Sequence, residues 1–345
     1  MDRVKVAIVL LSYNSLELVK KFLPLIVETI PNSPDYQVVL VDNASVDDTY
    51  NYVAEQHPDV RLIQLQINKG FTNGYVESLS QIDAEYYVLI SSDIEVSPNW
   101  CEPIIQYMDE HPDVAVCGPK IMSYDRREEF EYAGAAGGFI DHLGYPFCRG
   151  RMITDVEKDE GQYDNIQETF WASGACMLIR AELYHEAGGL DNDFYAHMEE
   201  IDLCWRLKNM GHKVMFYPHS KVYHMGGFII QYGSPGKVFR NHRNNLIMLL
   251  KNLPPYRSLW LISLRFVLDF VALLKMYADG QFKASTGINK AHFQFLIHLP
   301  KWLKKRREVR KLVKNPNTFG IYPKSLIVAY FLRGKRKFSE LNWLK

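Results

Sequence analysis

The chain opens on an unbroken apolar run, Val4-Lys-Val-Ala-Ile-Val-Leu-Leu11, which predicts a short buried strand. Residues 16–30 then carry helical spacing, with Pro24 inside as the place for a kink. The pattern repeats as strand 37–41, helix 47–57, strand 60–65, helix 70–82, strand 86–90, helix 98–111 and strand 114–117. Strands that alternate with helices predict an α/β fold built on a doubly wound, mostly parallel sheet. Such sheets bind ligands at the carboxyl ends of their strands. Residues 121–167 break the rhythm. They are rich in Gly, Tyr and charge, and predict an irregular excursion over the site. A strand at 170–180, a helix at 199–210 and a strand at 213–217 follow. After Gly236 the pattern is helical throughout, broken at Pro254-Pro255, Gly280, Pro300, Pro316 and Pro323. This divides the chain into an α/β catalytic part, 1–235, and a helical extension, 236–345.

Charge sharpens that division. The formal net charge is zero, yet residues from Gly236 onward hold 23 Lys and Arg against 4 Asp and Glu. The remainder holds 17 against 36. An acidic body with a basic tail implies two environments, and directs the tail toward anionic lipid or a phosphorylated substrate. No nucleic-acid partner is expected. Residues 260–274 are strongly apolar and are followed by basic runs at 301–307 and 333–337, as an interfacial membrane segment requires. A helical cap or a dimer interface would use the same pattern. Arg265, Asp269 and Lys275 argue against a spanning helix there. Five dispersed cysteines without a C-x-x-C pair argue against a disulfide framework or zinc and for a reducing compartment. The opening residues show no signal-peptide pattern. The expected location is cytoplasmic, peripheral at the inner face of the plasma membrane.

Polar clusters sit where the predicted strands end. They are Ser12-Tyr13-Asn14, Asp42-Asn43 and Ser92-Asp93-Ile94-Glu95. Two carboxylates at one strand end, Asp93 and Glu95, suit a divalent cation that bridges a diphosphate. Asp42 suits hydrogen bonds from a nucleobase or ribose. Asp47 suits either that role or the capping of the next helix. Glu199 and Glu200 adjoin at a helix start, where mutual repulsion raises a carboxyl pKa and makes a usable general base. His224 ends a strand just before Gly226-Gly227. No Walker A loop, no G-x-G-x-x-G turn and no G-x-S-x-G elbow occurs, which removes three common α/β chemistries.

In order along the chain, Ser12-Tyr13-Asn14, Val41-Asp42-Asn43-Ala44-Ser45 with Asp47, Asn68 with Gly70-Phe71, Ser92-Asp93 with Glu95, Ser173-Gly174-Ala175 with Arg180, Glu199-Glu200 with Asp202 and Arg206, and His224 resemble the family 2 glycosyltransferases of the GT-A fold. Within that family the likeness is to the rhamnosyltransferase-like enzymes of bacterial surface polysaccharide synthesis. The resemblance covers roughly residues 4–251 and implies a set of roles. Ser12, Tyr13, Asn14, Asp42, Asn43, Asp47, Gly70 and Asp93 would bind a nucleotide-sugar donor of dTDP or UDP type. Asp93, Glu95 and His224 would hold Mg²⁺ or Mn²⁺. Glu200 would be the catalytic base, beside Glu199, where the family more often places Asp. Trp171, Gly174 and Asp202 would line the side of a saccharide or lipid-diphosphate-linked acceptor. The implied reaction is direct displacement with inversion. A non-catalytic binding protein on this fold and a sugar-phosphate nucleotidyltransferase are the competing readings.

Overall fold

A computed structural model of the protein describes residues 3–226 and 234–344. The first half builds β1 (Val4–Ser12), α1 (Leu16–Thr29), β2 (Tyr36–Asp42), α2 (Thr49–Gln56), β3 (Arg61–Gln64), α3 (Phe71–Leu79) and β4 (Ala84–Ser91). The four strands are parallel, in the order β3-β2-β1-β4. Both faces of this sheet are covered, which is why its strands read as continuous apolar runs. Val6, Ile8 and Leu10 share one core with Leu23 of α1 and Val53 of α2. Ala7, Val9 and Leu11 share the other with Tyr75 and Leu79 of α3. Pro24 is accommodated within α1 without ending it.

Beyond β4 the sheet becomes mixed. β5 (Ile94–Val96), α4 (Glu102–Glu110) and β6 (Val114–Ser123) are followed by β7 (Gly138–Asp141), β8 (Pro146–Cys148), β9 (Arg151–Met152), β10 (Asp155–Val156) and β11 (Gln167–Thr169). Next come β12 (Cys176–Arg180), α5 (Ala181–Glu186), α6 (Glu199–Met210) and β13 (Lys213–His224). β12 inserts antiparallel between β4 and β6, while β13 runs parallel to β6 and antiparallel to β5 and β11. Because β12 runs backwards, the residues that precede it lie at the carboxyl end of β4: the Ser91 N–H donates to Ala175 O at 2.9 Å.

Several expected elements shift. The helix expected at 98–111 begins only at Glu102, because Asn99 adopts φ 55° and the Trp100 indole is fixed by Thr29 Oγ1 at 3.2 Å. The strand expected at 170–180 shortens to β12. The strands expected at 114–117 and 213–217 instead continue to Ser123 and His224. Pro119 and Pro218 interrupt their sequence pattern, and the pair absorbs them at a register shift between Tyr217 and Lys221.

Residues 121–167 are not irregular throughout. They form the antiparallel ribbon β10-β9-β8-β7. The tail adds α7 (Pro235–Asn252), α8 (Pro255–Ala278), α9 (Phe282–Ile297) and α10 (Leu299–Lys311), then leaves helical geometry as β14 (Ile321–Tyr322). β14 pairs parallel with β7, so the tail completes the small sheet before two short helical turns at Val328–Leu332 and Phe338–Leu341. Phe338 and Trp343 pack on Phe139 and Phe147, and the Leu326 N–H donates to Asp141 Oδ2 at 2.8 Å.

Candidate active site

The turns after β1 and β2 are stapled together. Asn14, at φ 46°, donates its N–H to Ser45 Oγ at 3.0 Å, and its Oδ1 accepts the Val46 N–H at 2.8 Å. The Asp47 carboxylate accepts the Leu16 N–H at 3.1 Å and the Thr49 hydroxyl at 2.7 Å. Partial burial works against its charge, but these donors hold its pKa below the usual value. Asp47 therefore clamps two turns and holds Thr49 at the start of α2, and both its oxygens are engaged within the protein. The buried Ser12 hydroxyl pairs with that of Ser15 at 2.6 Å. Three groups remain open to a ligand at this rim: Asp42 Oδ2 and Asn43 Oδ1, both buried without a partner, and the exposed ring of Tyr13. Gly70 sits at φ 98° with the Tyr195 ring against it, and a Cβ there would stand 2.4 Å from that ring. Only glycine permits both conditions.

A second group gathers where β4, β5 and β13 meet. His224 Nε2 stands 3.3 Å from Asp93 Oδ2, and its Nδ1 stands 3.4 Å from Glu131 Oε1. Burial opposes a charged imidazole, yet the two carboxylates outweigh it and push the His224 pKa up to about 10. Asp93 Oδ1 is buried without a partner. Glu95 does not join this group. Its carboxylate is held by Arg127 at 2.8 Å, beside Tyr223 on β13. The second acid is Glu131, which the sequence conceals within the charged stretch 125–131. Only its position one residue after the core side chain Phe130 hinted at burial. Among the described residues no three His, Cys, Asp or Glu side chains form a ready-made cation cage. The free Asp93 oxygen nevertheless fits a Mg²⁺ or Mn²⁺ whose shell is completed by phosphate oxygens and water, and a bound cation would displace the proton held on His224 and free an imidazole nitrogen as a ligand.

The third group begins α6. Glu199 is buried, Glu200 is half-buried, and each has an Oε2 without a partner. Burial raises both pKa values. The Glu199 carboxyl is pushed well up by burial and by the Glu200 charge. Glu200 is pushed up to about 7, with the amides at the helix start pulling the other way. The approach to α6 is strained, with Tyr195 at φ 66° and His197 and Met198 each at φ 72°. Asn244 of α7 holds that turn in place. Its Nδ2 lies 3.0 Å from Phe194 O, 3.0 Å from Ala196 O and 2.7 Å from His197 O. The Thr72 N–H donates to Tyr195 O at 3.0 Å, which ties the same turn to α3. Sequence reasoning missed Asn244, which lies in an unremarkable run of the basic tail.

Two expected acceptor-side residues are enclosed instead. Asp202 is fully buried. Its carboxylate accepts from Arg206 Nε at 3.0 Å, Lys251 Nζ at 2.8 Å and Asn252 Nδ2 at 2.9 Å. It fastens α6 to α7. Trp171 is buried against Gly138 and donates its indole N–H to Phe139 O at 2.9 Å, so it belongs to the core. Gly174 differs: a Cβ there would lie 3.7 Å from Glu200 Cβ and 3.8 Å from the Phe71 ring. It adjoins the carboxylate at the head of α6.

Comparison with known proteins agrees with this arrangement. The profile of Glycosyl transferase family 2 matches residues 7–188. The chain is 24% identical over 249 residues to the N-acetylglucosaminyl-diphospho-decaprenol L-rhamnosyltransferase of Mycobacterium tuberculosis (strain CDC 1551 / Oshkosh), covering 67% of this chain and 79% of that protein. Among solved structures, S. aureus TarS 1-349 in complex with UDP superposes with TM-score 0.52 and 16% identity, covering 76% of this chain and 70% of that one. The mannosyltransferase PcManGT from Pyrobaculum calidifontis, in complex with GDP-Man and Mn²⁺, superposes with TM-score 0.51 and 16% identity, covering 90% and 86%. The architecture is GT-A, and the nucleotidyltransferase and non-catalytic readings fall away. The family profile spans more than half of the chain, which therefore belongs to glycosyl transferase family 2 and is a glycosyltransferase.

Proposed function

We propose that the protein transfers a sugar, with inversion, from a dTDP- or UDP-type nucleotide donor to a hydroxyl of a saccharide or lipid-diphosphate-linked acceptor. The setting is surface polysaccharide synthesis at the inner face of the plasma membrane. One observation carries this reading. Glu200 presents a carboxylate oxygen without a partner, with its pKa raised to about 7, beside Gly174 at the carboxyl edge of the sheet. A base of that pKa is about half ionised at neutral pH and strong enough to accept a hydroxyl proton.

In the reaction, Glu200 removes the acceptor hydroxyl proton as the oxygen attacks the anomeric carbon. The bond from that carbon to the diphosphate oxygen breaks, and its electron pair leaves with the nucleotide diphosphate. Asp42, Asn43 and Tyr13 orient the nucleotide, and Gly70 lets the Tyr195 ring close against the loop before α3. Asp93 and His224 would hold a Mg²⁺ or Mn²⁺, which supplies charge neutralisation at the leaving group. The name of the mycobacterial relative, with a diphospho-decaprenol acceptor, favours a lipid-linked acceptor here too.

The test is nucleotide diphosphate release from a panel of dTDP-, UDP- and GDP-sugars, with Mn²⁺ or Mg²⁺ and with Asp93→Ala and Glu200→Gln as controls. Metal-dependent turnover of one donor that both variants lose is the expected result. Turnover that Glu200→Gln retains in full would remove the assigned base. Equal turnover in chelator would remove the cation.

A further inference from the structure

Helix α8 is built inside out. Its two central charged residues, Arg265 and Asp269, face inward, while Lys275 near its end is exposed and pairs with Asp279. Arg265 donates to Asn245 Oδ1 at 2.8 Å and lies over the Tyr145 ring at 3.9 Å. Asp269 is buried between His242 at 3.1 Å and His292 at 3.0 Å. The inward positions Ser258, Leu261, Arg265, Asp269 and Leu273 recur every three or four residues, as one helix face does. The outward positions are mostly apolar, apart from Ser263 and Lys275. Leu259 is 73% exposed, Trp260 57%, Phe270 55% and Leu274 52%, with Val267 and Val271 between them. Phe293, Leu296 and Ile297 of the neighbouring α9 are exposed as well. The apolar ridge from Leu259 to Leu274, about 24 Å of helix, together with the exposed side chains of α9, is too large to be incidental on a water-facing surface.

We infer that the outer face of α8 and α9 docks on an anionic lipid bilayer, with α8 lying in the plane of the headgroups. Three observations favour a bilayer over a second copy of the chain. Exposed Lys283, Lys290, Lys304 and Arg307 stand on the two following helices, where they meet lipid phosphates as the apolar ridge enters the acyl boundary. A second copy would bring the same excess of 23 basic over 4 acidic residues against itself. Tyr256 and Tyr277 mark the two ends of the ridge, with Trp260 near the first, and such amphipathic rings settle at the membrane–water boundary. Among the described residues no helix is long and apolar enough to cross a membrane, so α8 lies on the bilayer rather than through it. The inference builds on the proposed lipid-linked acceptor and gives it a location. Asn245, which binds Arg265 of α8, is the immediate neighbour of Asn244, which holds the turn before Glu199.

Flotation of the full chain with vesicles tests this. Phosphatidylcholine vesicles containing phosphatidylglycerol are compared with phosphatidylcholine alone at low salt. The wild type should float with the anionic vesicles. The triple variant Trp260→Ser/Phe270→Ser/Leu274→Ser should lose more than about tenfold in partition, since three large apolar side chains no longer leave water on docking. Donor hydrolysis in solution should be unchanged in that variant, which separates failure of docking from failure of the proposed chemistry. If the triple variant melts early, Trp260→Ser alone must show a graded loss. A wild type that remains in solution beside anionic vesicles overturns the inference. So does a wild-type dimer in sedimentation that the variant dissolves.

Discussion

The Asn244 side-chain amide lies 2.7 Å from the His197 carbonyl, tying helix α7 to the left-handed turn that presents Glu199 and Glu200. Its two N–H donors are shared among three carbonyls, and the neighbouring Arg243 adds a bond to Phe194 O at 3.3 Å, so α7 holds the turn from outside the α/β core. Asn244→Ala should remove this donor from the Ala196 and His197 carbonyls, while Phe194 O keeps Arg243 Nη2 at 3.3 Å, and cost roughly 1–3 kcal/mol of stability. Turnover should fall about tenfold or more while the KM for donor holds, because a displaced base slows chemistry without touching the nucleotide rim. Steady-state kinetics beside a thermal melt would show the split.

Glu200 sets the expected pH profile. Its pKa is raised to about 7, and only the ionised form accepts a proton. The rate should climb as pH rises through about 7 and level off above it. Glu200→Gln should abolish that limb and lower turnover by about 10²–10⁴-fold. Isothermal titration of nucleotide diphosphate should show near-normal binding in the same variant.

Glu199 carries the opposite kind of signature, in stability. Its folded-state pKa lies well above that of the unfolded chain, chiefly through burial. The folded state thus holds a proton that the unfolded state has released. Stability from this group is full below the unfolded carboxyl value and declines as pH rises toward the folded one. Glu199→Gln should therefore melt higher than wild type at pH 8 and nearly with it at pH 5. Equal gains at both pH values would contradict the assignment.

Asp202 should behave as a structural residue. It is enclosed by Arg206, Lys251 and Asn252, and Lys251 also binds Asp191 at 2.5 Å. Asp202→Ala would leave the buried Arg206 without its carboxylate, while Lys251 keeps Asp191, at a cost of about 3–5 kcal/mol. Turnover per folded molecule should change far less than it does in Glu200→Gln. Burial alone would raise the Asp191 pKa, but Lys251 and Lys305 hold it well below the usual value. The stability from this cluster is present above the ordinary carboxylate range and is lost as pH falls through and below it.

Glu131 should matter to cation affinity although it lies in the ribbon region. It stands 3.4 Å from the far nitrogen of His224 and orients that ring toward Asp93. Glu131→Gln should weaken Mn²⁺ binding in the presence of nucleotide diphosphate by about 10–100-fold, as loss of an orienting partner does. Glu95→Gln should weaken it less, since Glu95 is held by Arg127. Electron paramagnetic resonance of Mn²⁺ would compare the two.

The first half of the fold was legible because its physics is local. A strand covered on both faces must be apolar at every position, and the polar clusters at residues 12–14, 42–43 and 92–93 mark where cover ends. The departures arose where a partner distant in sequence decided the outcome. Strand β6 passes Pro119 because β13 shifts its register to meet it. Residues 138–156 pair with one another and with β14, although their Gly-rich pattern reads as loop.

Carboxylates divided in the same way. By itself the sequence determined the α/β alternation, the acidic body with its basic tail, and the acids at strand and helix ends that point to a nucleotide-sugar enzyme. It could not say which acids serve a ligand, because a carboxylate is defined by what faces it across the chain. Lys251 turns Asp202 into a fastening, Arg127 draws Glu95 aside, and His224 draws Glu131 in. The same holds for helix α8, whose few charges read as spoiling an apolar stretch. Only the packing of Asn245, His242 and His292 against Arg265 and Asp269 places those charges inside and leaves the apolar face outside. Periodicity fixes which residues share a face, but the neighbours available to satisfy buried charge decide which face turns inward.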